Sequence, residues 1–204
     1  MQARLQFLTL DASPLSHREQ ARLALEGGVR WIQLRAKNLP ESEWIKTAQS
    51  VAELCQDFGA TFIVNDSFKV AHAAEADGVH LGSGDASPAE ARAALGDYAI
   101  IGVTLNNPSH VAVLKSARVD YAGVGPVRFT KSKDKLAPVH SESTLSELIK
   151  LASGLPCYAI GGVTVQDWPS LKGLGAHGIA VSGAIALAAD PERAARELVA
   201  AVSF

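Results

Sequence analysis

Eight short apolar runs recur along the chain, each followed by a longer stretch with helical patterning. They are Leu5–Thr9, Trp31–Leu34, Thr61–Val64, Gly78–Leu81, Ile100–Val103, Tyr121–Val124, Cys157–Ile160 and Gly178–Val181. Their hydrophobicity is continuous, as it is in strands covered on both faces; a strand with one wet face alternates instead. Covered strands separated by helices make a parallel sheet, and eight is the number that lets such a sheet close on itself. The pattern predicts an α/β protein, a (β/α)8 TIM barrel, with residues 1–204 as a single domain. The competing arrangement is an open doubly wound sheet, which would carry a glycine-rich loop after its first strand. Here that position reads Leu10-Asp11-Ala12-Ser13-Pro14, without glycine.

The intervals carry helix signals. Ser87-Pro88-Ala89-Glu90 is a capping-box pattern with proline at the first helical position. Asn107-Pro108, Thr164 with Asp167, and Asp190-Pro191-Glu192 are three further starts. Ala194, Ala195, Leu198, Val199 and Val202 form a ridge suited to docking on the barrel. Small-residue stops precede three of the runs, at Gly27-Gly28, Asp77-Gly78 and Gly175-Ala176-His177-Gly178, where glycine can end a helix in the left-handed region.

Charge narrows the functions. The net charge is −2, so no basic field is present to hold nucleic acid or a membrane surface, and any anionic ligand needs a local cluster of cations. No stretch approaches the roughly 20 apolar residues of a membrane span, and the opening MQARLQFLTL has no signal-like apolar run. The two cysteines, Cys55 and Cys157, have no metal-ligand spacing and read as buried thiols in a reducing, cytoplasmic setting. Assembly into a homo-oligomer is left open.

In a parallel barrel the chemistry lies at the carboxyl ends of the strands. Residues there are Gln33, Arg35 and Lys37 after the second run, Asn65 and Asp66 after the third, and Asp85 after the fourth. Thr104 follows the fifth run, and Gly125-Pro126 with the loop through Thr130, Ser132 and Lys133 follows the sixth. Gly161-Gly162 and Ser182-Gly183 close the seventh and eighth. Asp66 and Asp85 suit Mg²⁺, which takes few protein carboxylates and completes its shell with water and phosphate oxygens. Arg35, Lys37 and Lys133 can converge on an anion, and the glycine loops after the last two strands are the usual barrel phosphate cradle. The combination predicts a cationic, metal-assisted diphosphate site beside a neutral, backbone-lined monophosphate site. No nucleophilic triad is evident, so chemistry that stabilises a leaving group fits better than covalent catalysis.

Taken together, these residues resemble the thiamine-phosphate synthase family over nearly the whole chain. The carriers are Gln33-Leu34-Arg35-Ala36-Lys37, Val64-Asn65-Asp66, the stretch Ala76–Gly82 up to Asp85, Ile101–Thr104, Gly123–Pro126, Thr130–Lys133, Ala159–Gly162 and Ser182–Ile185. The resemblance implies that Gln33, Arg35, Lys37, Asn65, Thr104 and Lys133 hold an aminopyrimidine diphosphate, with Arg35, Lys37 and Lys133 catalytic. It implies Mg²⁺ on Asp66 and Asp85, and the thiazole phosphate on Thr130, Ser132, Gly162, Ser182 and Gly183. In that family pyrophosphate leaves first, and the thiazole nitrogen attacks the resulting pyrimidine-methyl cation.

The sequence departs from the family at Ser67, where a basic residue is common, at Ser83-Gly84, at Ser132, and at Gly183, where serine is usual. Arg128-Phe129 adds a cation near the anion sites. Three rival readings remain. A related thiazole tautomerase carries a histidine where Pro126 stands, and proline transfers no proton. A phosphate-sugar isomerase needs an apposed acid and base. A non-catalytic thiamine-phosphate sensor has no need of a diphosphate–metal site. His80 reads as a hydrogen-bonded core residue, and His17, His72, His110, His140 and His177 as surface residues. Trp31, Trp44 and Trp168 read as packing residues. The loop from Val127 to Pro138 reads as a lid.

Overall fold

The computed structural model describes residues 3–116, 118–130 and 138–203. Eight parallel strands close into a barrel in sequence order, β1 (Leu5–Leu8), β2 (Trp31–Leu34), β3 (Thr61–Asn65), β4 (Gly78–Leu81), β5 (Ile100–Leu105), β6 (Tyr121–Val124), β7 (Cys157–Ile160) and β8 (Gly178–Val181). Five of the eight have the bounds expected from the apolar runs. β1 ends one residue early, at Leu8, while β3 runs on to Asn65 and β5 to Leu105. Asn65 and Thr104 therefore belong to strands, not to the loops that follow them.

The helices α1 (His17–Glu26), α2 (Glu41–Asp57), α3 (Phe68–Ala73), α4 (Pro88–Leu95), α5 (Val111–Ser116), α6 (Glu142–Leu151), α7 (Trp168–Gly173), α8 (Gly183–Ala186) and α9 (Pro191–Val202) surround the barrel. Their starts follow local chemistry. Ser87 and Glu90 form the expected capping box on α4, and Asp190 accepts from the Arg193 N–H at the head of α9. Asn107 and Thr164 each open a short 3₁₀ turn leading into α5 and α7. α9 docks through Ala195, Leu198 and Val202.

The period of two along each strand sorts side chains between two cores. Leu5, Phe7, Ile32, Leu34, Val64, Val79, Ile101, Val124, Ala159 and Ile179 face outward into the layer under the helices. Leu8, Trp31, Ile63, Tyr121, Tyr158 and Ala180 fill the barrel interior. Trp31 meets Tyr121 and Tyr158 edge-on, with ring centroids 4.8 and 4.9 Å apart, in the arrangement the aromatic quadrupole favours. Above this plug lies a polar layer. Gln33 Nε2 donates to Gln6 Oε1 (3.2 Å), Gln6 Nε2 donates to Tyr121 Oη (3.2 Å), and His80 joins Tyr121 Oη (3.0 Å) to Thr104 Oγ1 (3.1 Å). His80 is the hydrogen-bonded core histidine expected, and Trp31 and Trp168 are buried packing residues.

Two of the small-residue stops behave as expected, since Gly28 and Gly175 have φ of 96° and 98°. The third does not. Glu75 takes the left-handed turn there (φ 50°), and Gly78 lies inside β4. Gly78 is required for space, because a Cβ on it would stand 1.8 Å from the Ile100 carbonyl oxygen of β5. Backbone cannot yield as a flexible side chain would. Gly78→Ala is therefore expected to destabilise the barrel by about 1–3 kcal/mol, as overpacking does, read as a lower urea midpoint at unchanged slope.

Candidate functional site

Parallel strands put all eight carboxyl ends on one rim, and the period of two decides which side chains there point inward. On β2, Trp31 and Gln33 share the inner face, and Arg35 continues the same alternation past the strand end. Asn65 pairs in register with His80, and Thr104 with Gly123, so these polar groups ring the interior at neighbouring levels. Gln33 is buried (1% exposed), and its Oε1 has no partner among the described residues.

The rim brings Lys37, Asp66 and Asp85 together. Lys37 Nζ lies 2.9 Å from Asp66 Oδ2. Asp66 sits at the centre of a three-residue turn, closed by the Ser67 N–H on the Asn65 carbonyl (2.9 Å), with a left-handed φ of 67°. That conformation is costly for a residue with a Cβ, and such costs concentrate at functional positions. Ser67 has a structural part here, since its hydroxyl caps α3 by accepting from the Val70 N–H (3.3 Å). Asp85 stands at the exposed rim, but its carboxyl folds back to accept from the Gly82 N–H (2.7 Å). Desolvation holds Asp85 above the ordinary carboxylate range, the Gly82 N–H opposes that rise, and the neighbouring Asp66 adds to it by charge and hydrogen bonding. Two carboxyls that crowd one another in this way gain from a shared cation. Among the described residues there is no cluster of three or more metal-binding side chains, and Asp66 with Asp85 is a pair. A pocket of about 420 Å³ lies beside the pair, lined by Lys37, Trp44, Asp66, Ser67, Phe68 and Lys69.

Across the rim, the β6 loop is laid against the end of β7. Val127 N–H donates to Ile160 O (3.0 Å) and Arg128 N–H to Gly161 O (2.8 Å). Gly161 and Gly162 both have left-handed φ, 95° and 65°, and a Cβ on either would meet Pro126 or Arg128 at 2.6 or 2.8 Å. Glycine is thus dictated at this corner by conformation and by close approach. Arg128 is not an added cation for the anion sites. It forms a two-pronged ion pair with Asp167, which also accepts from Thr164 N–H (2.8 Å) and Oγ1 (2.9 Å). Ser182 and Gly183 open α8 after β8, where helix geometry leaves the first amides unpaired, and Ser182 Oγ has no partner among the described residues. Thr130 stands at the end of the described β6 loop. Ser132, Lys133 and most of the expected lid lie outside the described residues.

One expectation about the histidines is corrected. The side chain of His17 is 10% exposed, held between Thr9 Oγ1 (2.9 Å) and Asp11 Oδ1 (3.1 Å). Thr9 and Asp11 follow β1 and His17 opens α1, so polar residues gather at this strand end as they do at the others.

The comparisons agree with this geometry. The profile of the thiamine monophosphate synthase family matches residues 9–185. The chain belongs to this family. It is 44% identical over 191 residues to a thiamine-phosphate synthase of Phocaeicola vulgatus, covering 92% of each chain. It is 41% identical over 191 residues to one from Bacteroides fragilis, covering 92% of this chain and 94% of the relative. Among solved structures it resembles a thiamine phosphate pyrophosphorylase from Pyrococcus furiosus, with a TM-score of 0.87, 30% identity, and coverage of 98% of this chain and 95% of that one. Family membership therefore accompanies the closed barrel and the single rim that gathers the matched residues.

The Arg128–Asp167 pair yields a pH test. Asp167 is depressed to about 2, first by its hydrogen bonds from Arg128. A depressed carboxyl adds stability that is complete above the ordinary aspartate range, about pH 4, and is lost as the pH falls toward about 2. Asp167→Asn is expected to cost about 1 kcal/mol at pH 7. In urea titrations the gap between the two proteins should narrow steadily below about pH 4.

Proposed function

We propose that the chain joins 4-amino-2-methyl-5-(diphosphooxymethyl)pyrimidine to 4-methyl-5-(2-phosphooxyethyl)thiazole, giving thiamine phosphate and pyrophosphate. It is a transferase of thiamine biosynthesis, as its family and relatives support. The observation that carries the residue-level reading is the meeting of Lys37, Asp66 and Asp85 on one rim. A diphosphate leaving group needs positive charge where its negative charge accumulates, and this cluster is built to collect it.

Gln33, Asn65 and Thr104 line the inner wall and would hold the aminopyrimidine ring. The unpartnered Gln33 Oε1 suits the ring's amino group, which is a donor. Arg35, Lys37 and Lys133 would bind and neutralise the diphosphate. Asp66 and Asp85 would hold Mg²⁺, an ion whose charge stabilises departing pyrophosphate when it is bound. The glycine corner at Gly162, with Thr130, Ser132, Ser182 and Gly183, would seat the thiazole phosphate through backbone amides and hydroxyls. Both substrates then sit over one rim, so the thiazole nitrogen is held close to the cationic carbon as it forms. Pro126, packed at the β6 end, provides no acid or base for the tautomerase reaction. The partners are small molecules, with no nucleic acid or membrane among them. No helix of the described residues is long and apolar enough to cross a membrane, and we place the enzyme in the cytoplasm.

Incubating the protein with both precursors and Mg²⁺ should yield thiamine phosphate by mass and equimolar pyrophosphate. Tight binding of thiamine phosphate with no turnover would mean a sensor instead. A chelator of divalent ions should stop pyrophosphate release, and added Mg²⁺ should restore it; full turnover in chelator removes Asp66 and Asp85 from a metal role. Lys37→Ala and Lys133→Ala should each slow single-turnover product formation by about 10²-fold or more.

A further inference from the structure

We infer that Thr9, Asp11 and His17 form a half-buried clamp that fixes the backbone carrying Arg35 and Lys37, and that they are positioning residues for the diphosphate. The inference rests on reading those two cations as diphosphate ligands. The last main-chain rung between β1 and β2 is Thr9 N–H on Gln33 O (3.0 Å). Beyond it the backbone pairing stops, and side-chain oxygens take over the ladder. Arg35 N–H donates to Thr9 Oγ1 (3.0 Å), and Lys37 N–H donates to Asp11 Oδ2 (3.1 Å). The two amides held are those of the two cationic residues, and the residue between them, Ala36, is buried (1% exposed). The register of β2 is thereby extended past the rim, where a chain end would otherwise be free to wander.

His17 locks the two oxygens to each other. Asp11 can only accept, so His17 Nε2 carries the proton and donates to Asp11 Oδ1. His17 Nδ1 is then the acceptor for the Thr9 hydroxyl, whose oxygen takes the Arg35 N–H. Every donor in this chain has one acceptor, and the order of donation follows from the chemistry of the carboxylate. Burial holds the imidazole below its ordinary range against the pull of Asp11, which keeps the ring neutral and the order intact. Thr9 is fully buried and cannot touch a ligand, so its effect on the reaction passes through Arg35.

The test is a steady-state split between the two substrates, with tautomer assignment by ¹⁵N NMR of the histidines. Asp11→Ala and Thr9→Val are expected to raise KM for the pyrimidine diphosphate about tenfold or more while leaving KM for the thiazole phosphate unchanged. Thr9→Ser, which keeps the hydroxyl, should restore the wild-type value. An unchanged KM for the pyrimidine, or an equal rise in both, overturns the inference. In the wild type the His17 proton should reside on Nε2. In Asp11→Asn, which folds around an isosteric side chain, it should move to Nδ1 when the new amide donates to the ring. A wild-type proton on Nδ1 overturns the inference independently of activity. If the wild type makes no thiamine phosphate, the assigned reaction fails. The clamp is then judged by binding of inorganic pyrophosphate with Mg²⁺, which Asp11→Ala should weaken and which retention at full affinity would contradict.

Discussion

Ring closure between β1 and β8 is the constraint on which the site depends. Leu5, Gln6 and Phe7 pair with Ile179, Ala180 and Val181, which joins the two ends of the sheet. Without that seam the loops after β2, β3 and β4 would sit on one stretch of an open sheet, and those after β7 and β8 at a distant edge. Closure turns a linear order into a circle and places a cationic sector opposite a glycine-lined sector across one mouth. On its other edge β1 pairs with β2, which sets Thr9 and Asp11 next to the residues whose amides they hold.

Within that mouth the arrangement is a poor one for folding alone. Asp66 occupies a left-handed turn, and Asp85 is both partly desolvated and crowded by Asp66. Among the described residues, the ammonium group of Lys37 meets this charge at a partly exposed position, where an ion pair contributes little. A chain selected only for stability has cheaper residues for these places. The cost is understandable if the carboxyls are held ready for a cation and a polyanion that arrive together, because pre-set charges need no reorganisation when the leaving group departs. The opposite sector is different in kind. Arg128 is ion-paired with Asp167, so the described residues of the glycine corner present mainly backbone dipoles and hydroxyls.

The fold was legible because both-face burial leaves a plain signature. Trp31–Leu34, Gly78–Leu81, Tyr121–Val124, Cys157–Ile160 and Gly178–Val181 are dominated by apolar residues, with Gln33 and His80 as exceptions, and begin and end as strands. Two of the three misjudged boundaries, those of β3 and β5, share a cause. Asn65 and Thr104 are polar and so read as loop, but in a barrel the inner face of a strand near the rim is where polar side chains belong. Gly78 was misread for a related reason, since the stop and the steric gap look alike in sequence and only the approach of β5 separates them. Charge in the sequence marked Lys37, Asp66 and Asp85, which the structure brings together on the rim. His17 was hidden because its position at the head of α1 looks solvent-facing, and only contact with the far end of β1 buries it. The function of Arg128 was invisible for the same reason, as its partner lies 39 residues away.

The polar interior fixes the one histidine described inside the barrel in a hydrogen-bonded network. His80 engages Tyr121 with one ring nitrogen and Thr104 with the other, and burial pushes the Tyr121 phenol well above its ordinary range. An imidazole held at both nitrogens and a phenol that resists ionisation make a fixed, polar wall. Their order fixes the hydroxyl of Thr104 and, through Gln6, the amide of Gln33. What the barrel offers a substrate is therefore a pre-oriented set of donors and acceptors below a rim of charge. Such a site accelerates a bond that breaks heterolytically to release an anion, and has little to give a reaction that needs a proton moved. The departure of pyrophosphate from a pyrimidine able to bear the positive charge is a reaction of the first kind.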